Sequence, residues 1–202
     1  MSRGTISEIG KEYGVKYGRE CGRNRWIFSV LFFLLSPLVI PSHTAVYTIP
    51  PTPEPEYRLR MFHTHTNEHL DLVYKVGEKY LPEALAALDS FLGDFRTGDV
   101  HQFDPRLFDL LVDLTRSVGR PDAEINILSG YRSPMSNEYL RRNSSGVAKH
   151  SLHMQAEAID IRIPEVKTAQ LRKAALNLKR GGVGYYPRSN FIHVDVGDVR
   201  RW

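Results

Sequence analysis

Apolar residues alternate with polar ones in two early segments of the chain and then recur at helical spacing. Residues 57–63 and 69–76 flank a short polar break, a pattern that predicts a β-hairpin or two short strands. Apolar residues within 82–92 follow the helical period. A second helix is predicted to begin at Asp104-Pro105, where Asp caps the helix and Pro occupies its first turn.

The pattern further along predicts a sheet near the carboxyl end. The last two strands form a closing hairpin across a turn that begins with Pro187. Because helical segments precede a mostly antiparallel set of strands, the pattern predicts an α+β fold with a small antiparallel sheet and helices packed on one side. Strands are predicted at residues 125–128, 158–163, 183–186 and 191–196, and helices at residues 133–142 and 166–179.

A different pattern marks residues 26–40, which are almost entirely apolar. Arg23 and Arg25 precede this run and small residues follow it up to Ala45, the arrangement of a secretory signal. The run is shorter than the roughly 20 residues of a membrane span, so a signal peptide is favoured over an uncleaved signal anchor or a buried helix. We therefore predict a tail and signal segment at 1–45, a proline-rich linker at 46–56 and one folded domain at 57–202.

The composition narrows the class of protein. With 202 residues, of which 42% are hydrophobic and 25% charged, the chain is an ordinary globular protein large enough to build a core. The single cysteine, Cys21, excludes an intrachain disulfide. Most of the net charge of +4 lies in residues 1–45, so the domain itself is nearly neutral and nucleic-acid binding is not expected.

Two histidines and an aspartate form the candidate chemistry of the domain. His153 precedes Asp160 on the chain, and the apolar alternation around Asp160 places this carboxylate on a strand. His193 shares one face of a predicted strand with Asp195, and such polar groups on a buried strand are costly unless they are paired or bound to metal. Together with Arg132, at the exit of a short strand, these residues supply three zinc ligands and a positive group for an oxyanion.

Other interpretations of the same residues stay open. Asp160 has Arg132 and Arg162 as alternative ion-pair partners, and a single histidine is more often structural than a metal ligand. His150 is interpreted as a loop residue. A second histidine group is interpreted as exposed turn residues rather than a metal site, and it comprises His63, His65 and His69.

Longer motifs resemble a known family of enzymes. The spacing Ser151-x-His153-x-x-Ala156-x-Ala158-x-Asp160 resembles the S-x-H-x-x-G-x-A-x-D signature of the zinc D-Ala-D-Ala peptidase and lysostaphin-like group. The resemblance is closer to one branch, the YcbK-like (MepK) murein endopeptidases, and it covers residues 57–202. The motifs that carry it include SGYRSP at 129–134, GVAKHSLHMQ at 146–155, GGVGYYPRSNFIHVDVG at 181–197 and the final VRRW.

The resemblance implies a zinc peptidase that cuts peptide cross-links of the bacterial cell wall. It implies zinc ligands at His153, Asp160 and His193, with Arg132 positioning or polarising the scissile carbonyl. This branch is associated with links between two diaminopimelate residues. We expect an exported, periplasmic monomer that acts on peptidoglycan and stays attached to the membrane if the signal is not cleaved. Substrate binding is assigned to Arg132, Tyr131 and Ser151.

Two positions depart from the pattern of the wider group. Ala156 stands where glycine is usual, and alanine adopts positive φ less easily. Many relatives carry a His or Glu shortly before the last ligand; Phe191 and Asn190 stand there in this chain, so Asp195 is our candidate for the general base. A D,D-carboxypeptidase acting on uncross-linked stem peptides, and a non-catalytic wall-binding domain, therefore stay open as alternatives.

Overall fold

The computed structural model describes residues 52–144 and 146–202, which form seven strands and four α-helices. Two short 3-10 helices, Leu152–Gln155 and Pro187–Ser189, complete the secondary structure of these residues. The strands are β1 Glu56–His63, β2 His69–Val76, β3 Lys79–Tyr80, β4 Glu124–Ser129, β5 Ala158–Arg162, β6 Val183–Tyr186 and β7 Phe191–Asp195. The helices are α1 Pro82–Phe91, α2 Pro105–Ser117, α3 Pro134–Asn143 and α4 Thr168–Leu178.

The predicted signal segment, with residues 46–51 of the predicted linker, lies outside the described residues. Within residues 52–144 and 146–202, no helix has the length and apolar character that a membrane crossing requires.

Local signals in the sequence explain where the helices begin. The Asp104 side chain accepts a hydrogen bond from the Arg106 amide at 2.9 Å, and Pro105 opens α2 at the predicted position. Ser133 caps α3 in the same way, with its hydroxyl accepting from the Ser136 amide. Each cap satisfies an amide that the first helical turn leaves without a partner.

All strands belong to one sheet with the order β3-β2-β1-β4-β5-β7-β6. Neighbouring strands are antiparallel except for β1 and β4, which are parallel. The predicted α+β class and the mostly antiparallel sheet are confirmed. The early hairpin predicted at residues 57–76 is confirmed as β1 and β2, and with the short β3 it extends the sheet beyond its carboxyl-terminal strands.

The core lies on one face of the central strands. Ile127, Ile161 and Ile192 stand side by side on β4, β5 and β7, and all three are buried. Helix α2 packs against β1 and α4, and α4 packs against β6 and β7. Because side chains alternate along a strand, burial of this isoleucine row directs Asp160 and His193 to the opposite face.

Candidate metal centre and active-site cleft

Three predicted ligands converge on the non-core face of the sheet. Asp160 on β5 and His193 on β7 are directly opposite each other in the strand register, and His153 lies in the 3-10 helix before β5. His153 Nε2 is 3.2 Å from Asp160 Oδ1 and 3.1 Å from His193 Nδ1. His193 Nδ1 is 3.0 Å from Asp160 Oδ1. Within the described residues these three form the group of ligand-type side chains suited to a metal ion.

Hydrogen bonds on the outer side of each imidazole fix its tautomer. His153 Nδ1 is 2.7 Å from the Gly130 carbonyl oxygen, which can only accept a hydrogen bond. His193 Nε2 is 3.0 Å from Asp195 Oδ2. The protons are therefore assigned to these two nitrogens. This assignment leaves His153 Nε2, His193 Nδ1 and Asp160 Oδ1 with lone pairs directed at one another.

Such an arrangement requires a positive charge between the three atoms. Lone pairs at hydrogen-bond distance repel each other unless a proton or a metal ion lies between them. Two imidazole nitrogens and one carboxylate oxygen match the donor set of a catalytic zinc site, which has three protein ligands and one open position. Ligands about 2.1 Å from a tetrahedral zinc lie roughly 3.4 Å apart, close to the separations seen here. The residues present therefore fit a zinc ion.

The pKa shifts of His153 and Asp160 suit a metal, whereas that of His193 favours its protonated form, whose proton a metal ion would displace. Burial lowers the pKa of the His153 imidazole. Burial opposes ionisation of Asp160, but the adjacent His153, a hydrogen bond with His193 and the charge of Arg132 hold the pKa of its carboxyl well below its ordinary value. Burial likewise opposes protonation of His193, yet hydrogen bonds to Asp160 and Asp195 raise its pKa. An ionised carboxylate and a neutral His153 are the forms that bind metal.

Arg132 lies beside the cluster, as predicted. Its guanidinium pairs with Asp160 Oδ2, the oxygen that does not face the histidines, and its Nε donates to the Ser129 hydroxyl at 2.8 Å. The Arg132 amide donates to the His153 carbonyl oxygen at 3.1 Å, which ties the strand exit to the 3-10 helix. Arg132 is thus both a partner of one candidate ligand and part of the cleft wall.

The contacts of Asp195 do not support the predicted role as general base. This residue is fully buried and its Oδ2 lies behind His193, on Nε2 rather than on the Nδ1 side that faces the cluster. Its Oδ1 accepts from the amides of Gly182 and Gly197, and both oxygens accept from Arg200. A carboxylate held by these donors is placed to orient His193 and is remote from the open side of the cluster.

Gly181 and Gly182 follow helix α4 but do not end it. Helix α4 already ends at Leu178, and Lys179 adopts the left-handed conformation there. A Cβ on Gly182 would lie 2.4 Å from Asp195 Oδ2 and 2.8 Å from Arg200 Nη1. The absence of a side chain at Gly182 therefore makes room for the buried carboxylate behind His193.

Ala156, at the position where glycine was expected, adopts the left-handed conformation itself. Its φ is 53° and its ψ 36°, and the residue closes the 3-10 helix that carries His153. Its amide donates to the His153 carbonyl oxygen, and its side chain is fully buried. The turn from His153 into β5 thus keeps the backbone conformation that favours glycine, with an alanine in it.

A cleft of about 530 Å³ opens above the cluster. Of the three residues predicted to bind substrate, Arg132 and Ser151 line it, whereas Tyr131 is not among the lining residues and packs instead against the His101 ring, with centroids 5.1 Å apart. His150, interpreted from sequence as a loop residue, also lines the cleft. Other lining residues were not predicted, and they include Tyr186, Phe191, Arg200 and Trp202.

The second histidine group does not form a metal site among the described residues. His63 is buried and its Nδ1 accepts from the Thr66 amide at 3.2 Å. The His65 ring stacks on Phe95 with centroids 4.1 Å apart, and His69 pairs with Glu124. Each imidazole thus has a partner other than its neighbouring histidines.

Comparison with known proteins assigns the chain to a family. The sequence model described as peptidoglycan L,D-endopeptidase MepK matches residues 52–202. A probable peptidoglycan L,D-endopeptidase MepK from Haemophilus influenzae is 42% identical over 151 residues, which cover 75% of this chain and 81% of the relative. The peptidoglycan L,D-endopeptidase MepK of Escherichia coli K12 is also 42% identical over 151 residues, with 75% and 82% covered.

Proposed function

Because the chain belongs to the family of MepK peptidoglycan L,D-endopeptidases, we propose that it hydrolyses peptide cross-links of peptidoglycan with zinc at the His153–Asp160–His193 centre. The family name specifies a bond between an L and a D centre. We propose that this bond joins two diaminopimelate residues. The observation that carries the proposal is the convergence of three lone-pair atoms beneath an open cleft.

The cluster would hold the metal through one atom of each residue. Zinc, when bound, supplies Lewis acidity and an acidified water as the nucleophile. The Gly130 carbonyl and Asp195 keep the two imidazoles oriented with their lone pairs toward the metal position. Asp195 is therefore assigned as a positioning residue.

Arg132 is assigned to the charge that develops on the substrate. It lines the cleft and 12% of its side chain is exposed. A guanidinium held by Asp160 and Ser129 needs little reorganisation when a carbonyl oxygen in the cleft becomes negative. Ser151, which also lines the cleft, is assigned to substrate binding.

Proton transfer is assigned to His150. Among the described lining residues, it is the histidine that does not belong to the cluster. Its side chain is exposed to the cleft, whereas Asp195 is enclosed behind His193. An imidazole at the cleft wall can accept a proton from the attacking water and return it to the leaving amine.

Location follows from the substrate. Peptidoglycan lies outside the cytoplasmic membrane, so the proposal requires export of residues 57–202. The apolar run at 26–40 is the proposed export signal, either cleaved or kept as a membrane anchor. We propose that the exported protein acts as a monomer in the periplasm.

The test uses purified sacculi. His153→Ala and His193→Ala are each expected to abolish both bound zinc, measured by elemental mass spectrometry, and release of cross-linked muropeptides. His101→Ala is the matched control, because His101 is exposed and is not among the cleft-lining residues. Full activity in either cluster variant would refute the proposed centre.

Product analysis separates the alternatives. Loss of cross-linked dimers identifies an endopeptidase, and loss of terminal D-Ala identifies a D,D-carboxypeptidase. Binding to sacculi in added zinc, without soluble products, identifies a wall-binding domain.

A further inference from the structure

Arg200 lies on the wall of the cleft with part of its guanidinium already engaged. Its Nη1 donates to Asp195 Oδ1 at 3.2 Å and to the Asp198 carbonyl oxygen at 3.0 Å, and its Nη2 donates to Asp195 Oδ2 at 2.8 Å. Its Nε finds no acceptor among residues 52–144 and 146–202. The edge formed by Nε and the second Nη2 hydrogen is therefore available for another group, and 43% of the side chain is exposed.

The same contacts hold this guanidinium in place. Asp195 is fully buried and accepts two hydrogen bonds from Arg200, and its Oδ1 is also held by the amides of Gly182 and Gly197. Gly182 leaves the space that Nη1 occupies. The guanidinium carbon lies 5.2 Å from the centre of the Trp202 ring, within the range of a cation–π contact.

Trp202 is positioned by the edge of the sheet. Its backbone pairs with Val183 and Tyr185, so residues 200–202 run alongside β6. A Cβ on Gly184 would lie 2.8 Å from the indole, and the indole Nε1 donates to the Tyr186 hydroxyl at 3.0 Å. The Trp202 ring lies 5.2 Å from the His193 ring. Because Trp202 contacts both the His193 ring and the Arg200 guanidinium, Arg200 and Trp202 together lie next to the candidate metal centre.

The cleft offers few acidic groups to oppose an anionic ligand near Arg200. Asp160 is the acidic residue among its described lining, and it is paired with Arg132. Arg200 shares Asp195 with His193. An arginine with one edge open offers two parallel N–H donors, the geometry that matches a carboxylate.

We infer that Arg200 binds the substrate carboxylate that flanks the scissile amide. This inference rests on the proposed function. In a link between two diaminopimelate residues, the nitrogen of the scissile amide is attached to a carbon that also carries a free carboxylate. An arginine beside the metal centre can bind this group while the amide carbonyl faces His153, Asp160 and His193. Arg200 thereby selects cross-links that keep the carboxylate.

The test compares two synthetic cross-linked diaminopimelate peptides that differ only at this group, which is a carboxylate in one and a carboxamide in the other. Affinities for the full-length protein are measured by isothermal titration calorimetry, and hydrolysis is followed separately by chromatography. The wild-type protein is expected to bind the carboxylate peptide at least about tenfold more tightly, as a charge-assisted pair allows. Arg200→Gln is expected to remove this preference and leave affinity for the carboxamide peptide nearly unchanged.

Arg201→Gln is the matched control, because it makes the same charge change at an exposed residue outside the cleft lining. Equal affinity of the wild-type protein for both peptides would overturn the inference. An equal loss of affinity for both peptides in Arg200→Gln would also overturn it, because this result is expected if Arg200 acts only through Asp195. Should Arg200→Gln fail to fold, Arg200→Lys decides: a reduced preference supports the carboxylate contact and an unchanged one refutes it.

Separate measurements of binding and hydrolysis distinguish failure of this inference from failure of the proposed function. A carboxylate preference without hydrolysis supports the Arg200 site and refutes the peptidase. Hydrolysis of both peptides at equal affinity supports the peptidase and refutes the Arg200 site. Absence of both binding and hydrolysis refutes both.

Discussion

Asp195 Oδ2 lies 3.0 Å from His193 Nε2, on the side of the imidazole away from the candidate metal position. Both residues are on β7, separated by one position, and both project to the same face of the sheet. The carboxylate therefore fixes which nitrogen of His193 carries the proton, and the other nitrogen keeps a lone pair that faces the candidate metal position. Its burial prevents it from reaching a water in the cleft.

Asp195→Asn is expected to weaken zinc binding roughly 10- to 100-fold, the usual effect of removing such a partner. An amide cannot replace the carboxylate, because one oxygen accepts from the amides of Gly182 and Gly197 and the other faces His193. In asparagine the side-chain NH₂ group would replace one of these oxygens. It would then face either the amides of Gly182 and Gly197 or the N–H of His193, and all of these are donors. Zinc affinity is measured by competition with a chromogenic chelator.

Asp198→Asn is the control for charge, because its exposed side chain makes no hydrogen bond or ion pair with the other described residues. Unchanged zinc affinity in a folded Asp195→Asn protein would contradict the positioning role. A loss of activity with normal zinc affinity would instead favour Asp195 as the base.

Ala156→Gly is expected to change the free energy of unfolding by less than about 1 kcal/mol. Glycine removes left-handed strain of roughly 1–2 kcal/mol. It also gives up a buried methyl, worth about 0.8 kcal/mol, and about 0.5–1 kcal/mol of backbone entropy. These effects nearly cancel, which explains how alanine is accommodated in this turn. Urea denaturation measures the change.

Ala156→Val tests the same conformational argument with a larger residue that is disfavoured at positive φ. A β-branched residue is poorly compatible with a φ of 53°, and at a fully buried site two further methyl groups must be accommodated by the packed neighbours. Destabilisation of at least about 2 kcal/mol is expected. A valine variant as stable as the glycine variant would show that the turn relaxes to another conformation.

The sequence predicted most of the regular structure and the three residues that converge at the candidate metal centre, because both depend on local or strongly patterned signals. The cap at Asp104 and the alternation around Asp160 are readable within a few residues. The wall formed by Arg200 and Trp202 was not predicted, since it depends on pairing of the last residues with β6 and on the space left by Gly182 and Gly184. The VRRW motif was visible in the resemblance, but nothing in the sequence places it beside His193.

The role of Asp195 shows the same limit. Alternation correctly places its side chain on the face of His193, but the sequence does not reveal which imidazole nitrogen it contacts. That contact depends on the ring orientation of His193 and on the amides of Gly182 and Gly197. Knowing only the strand face of Asp195, one could not distinguish a general base from a residue that orients His193.

Asp94→Asn is expected to destabilise the protein by about 2–3 kcal/mol at neutral pH. Asp94 is buried and accepts hydrogen bonds from the Arg96 amide and from the Ser133 amide and hydroxyl, so it joins the loop after α1 to the start of α3. Burial opposes its ionisation, but these hydrogen bonds lower the pKa of the Asp94 carboxyl below its ordinary value.

The contribution of Asp94 to the free energy of unfolding is expected to fall as the pH is lowered. Because the folded-state pKa lies below that of the unfolded chain, the contribution of Asp94 is present above the unfolded pKa and is lost as pH falls through the folded one. Urea unfolding between pH 7 and pH 3 should therefore show the difference between wild type and Asp94→Asn shrinking on acidification. Asp122→Asn, at an exposed position, controls for the change in net charge. A difference that stays constant over this range would contradict the assignment.

His150→Asn is expected to lower kcat roughly 100-fold or more while zinc content stays at the wild-type value, since positioned proton transfer contributes on this scale. The substitution leaves the cluster untouched, because the described contacts of His153, Asp160 and His193 do not include His150. His101→Asn makes the same change at an exposed histidine that is not among the cleft-lining residues, and it is expected to retain full activity. If His150→Asn keeps its kcat and Asp195→Asn loses it with zinc bound, the proton-transfer role belongs to Asp195 and the enclosed carboxylate must become accessible when substrate binds.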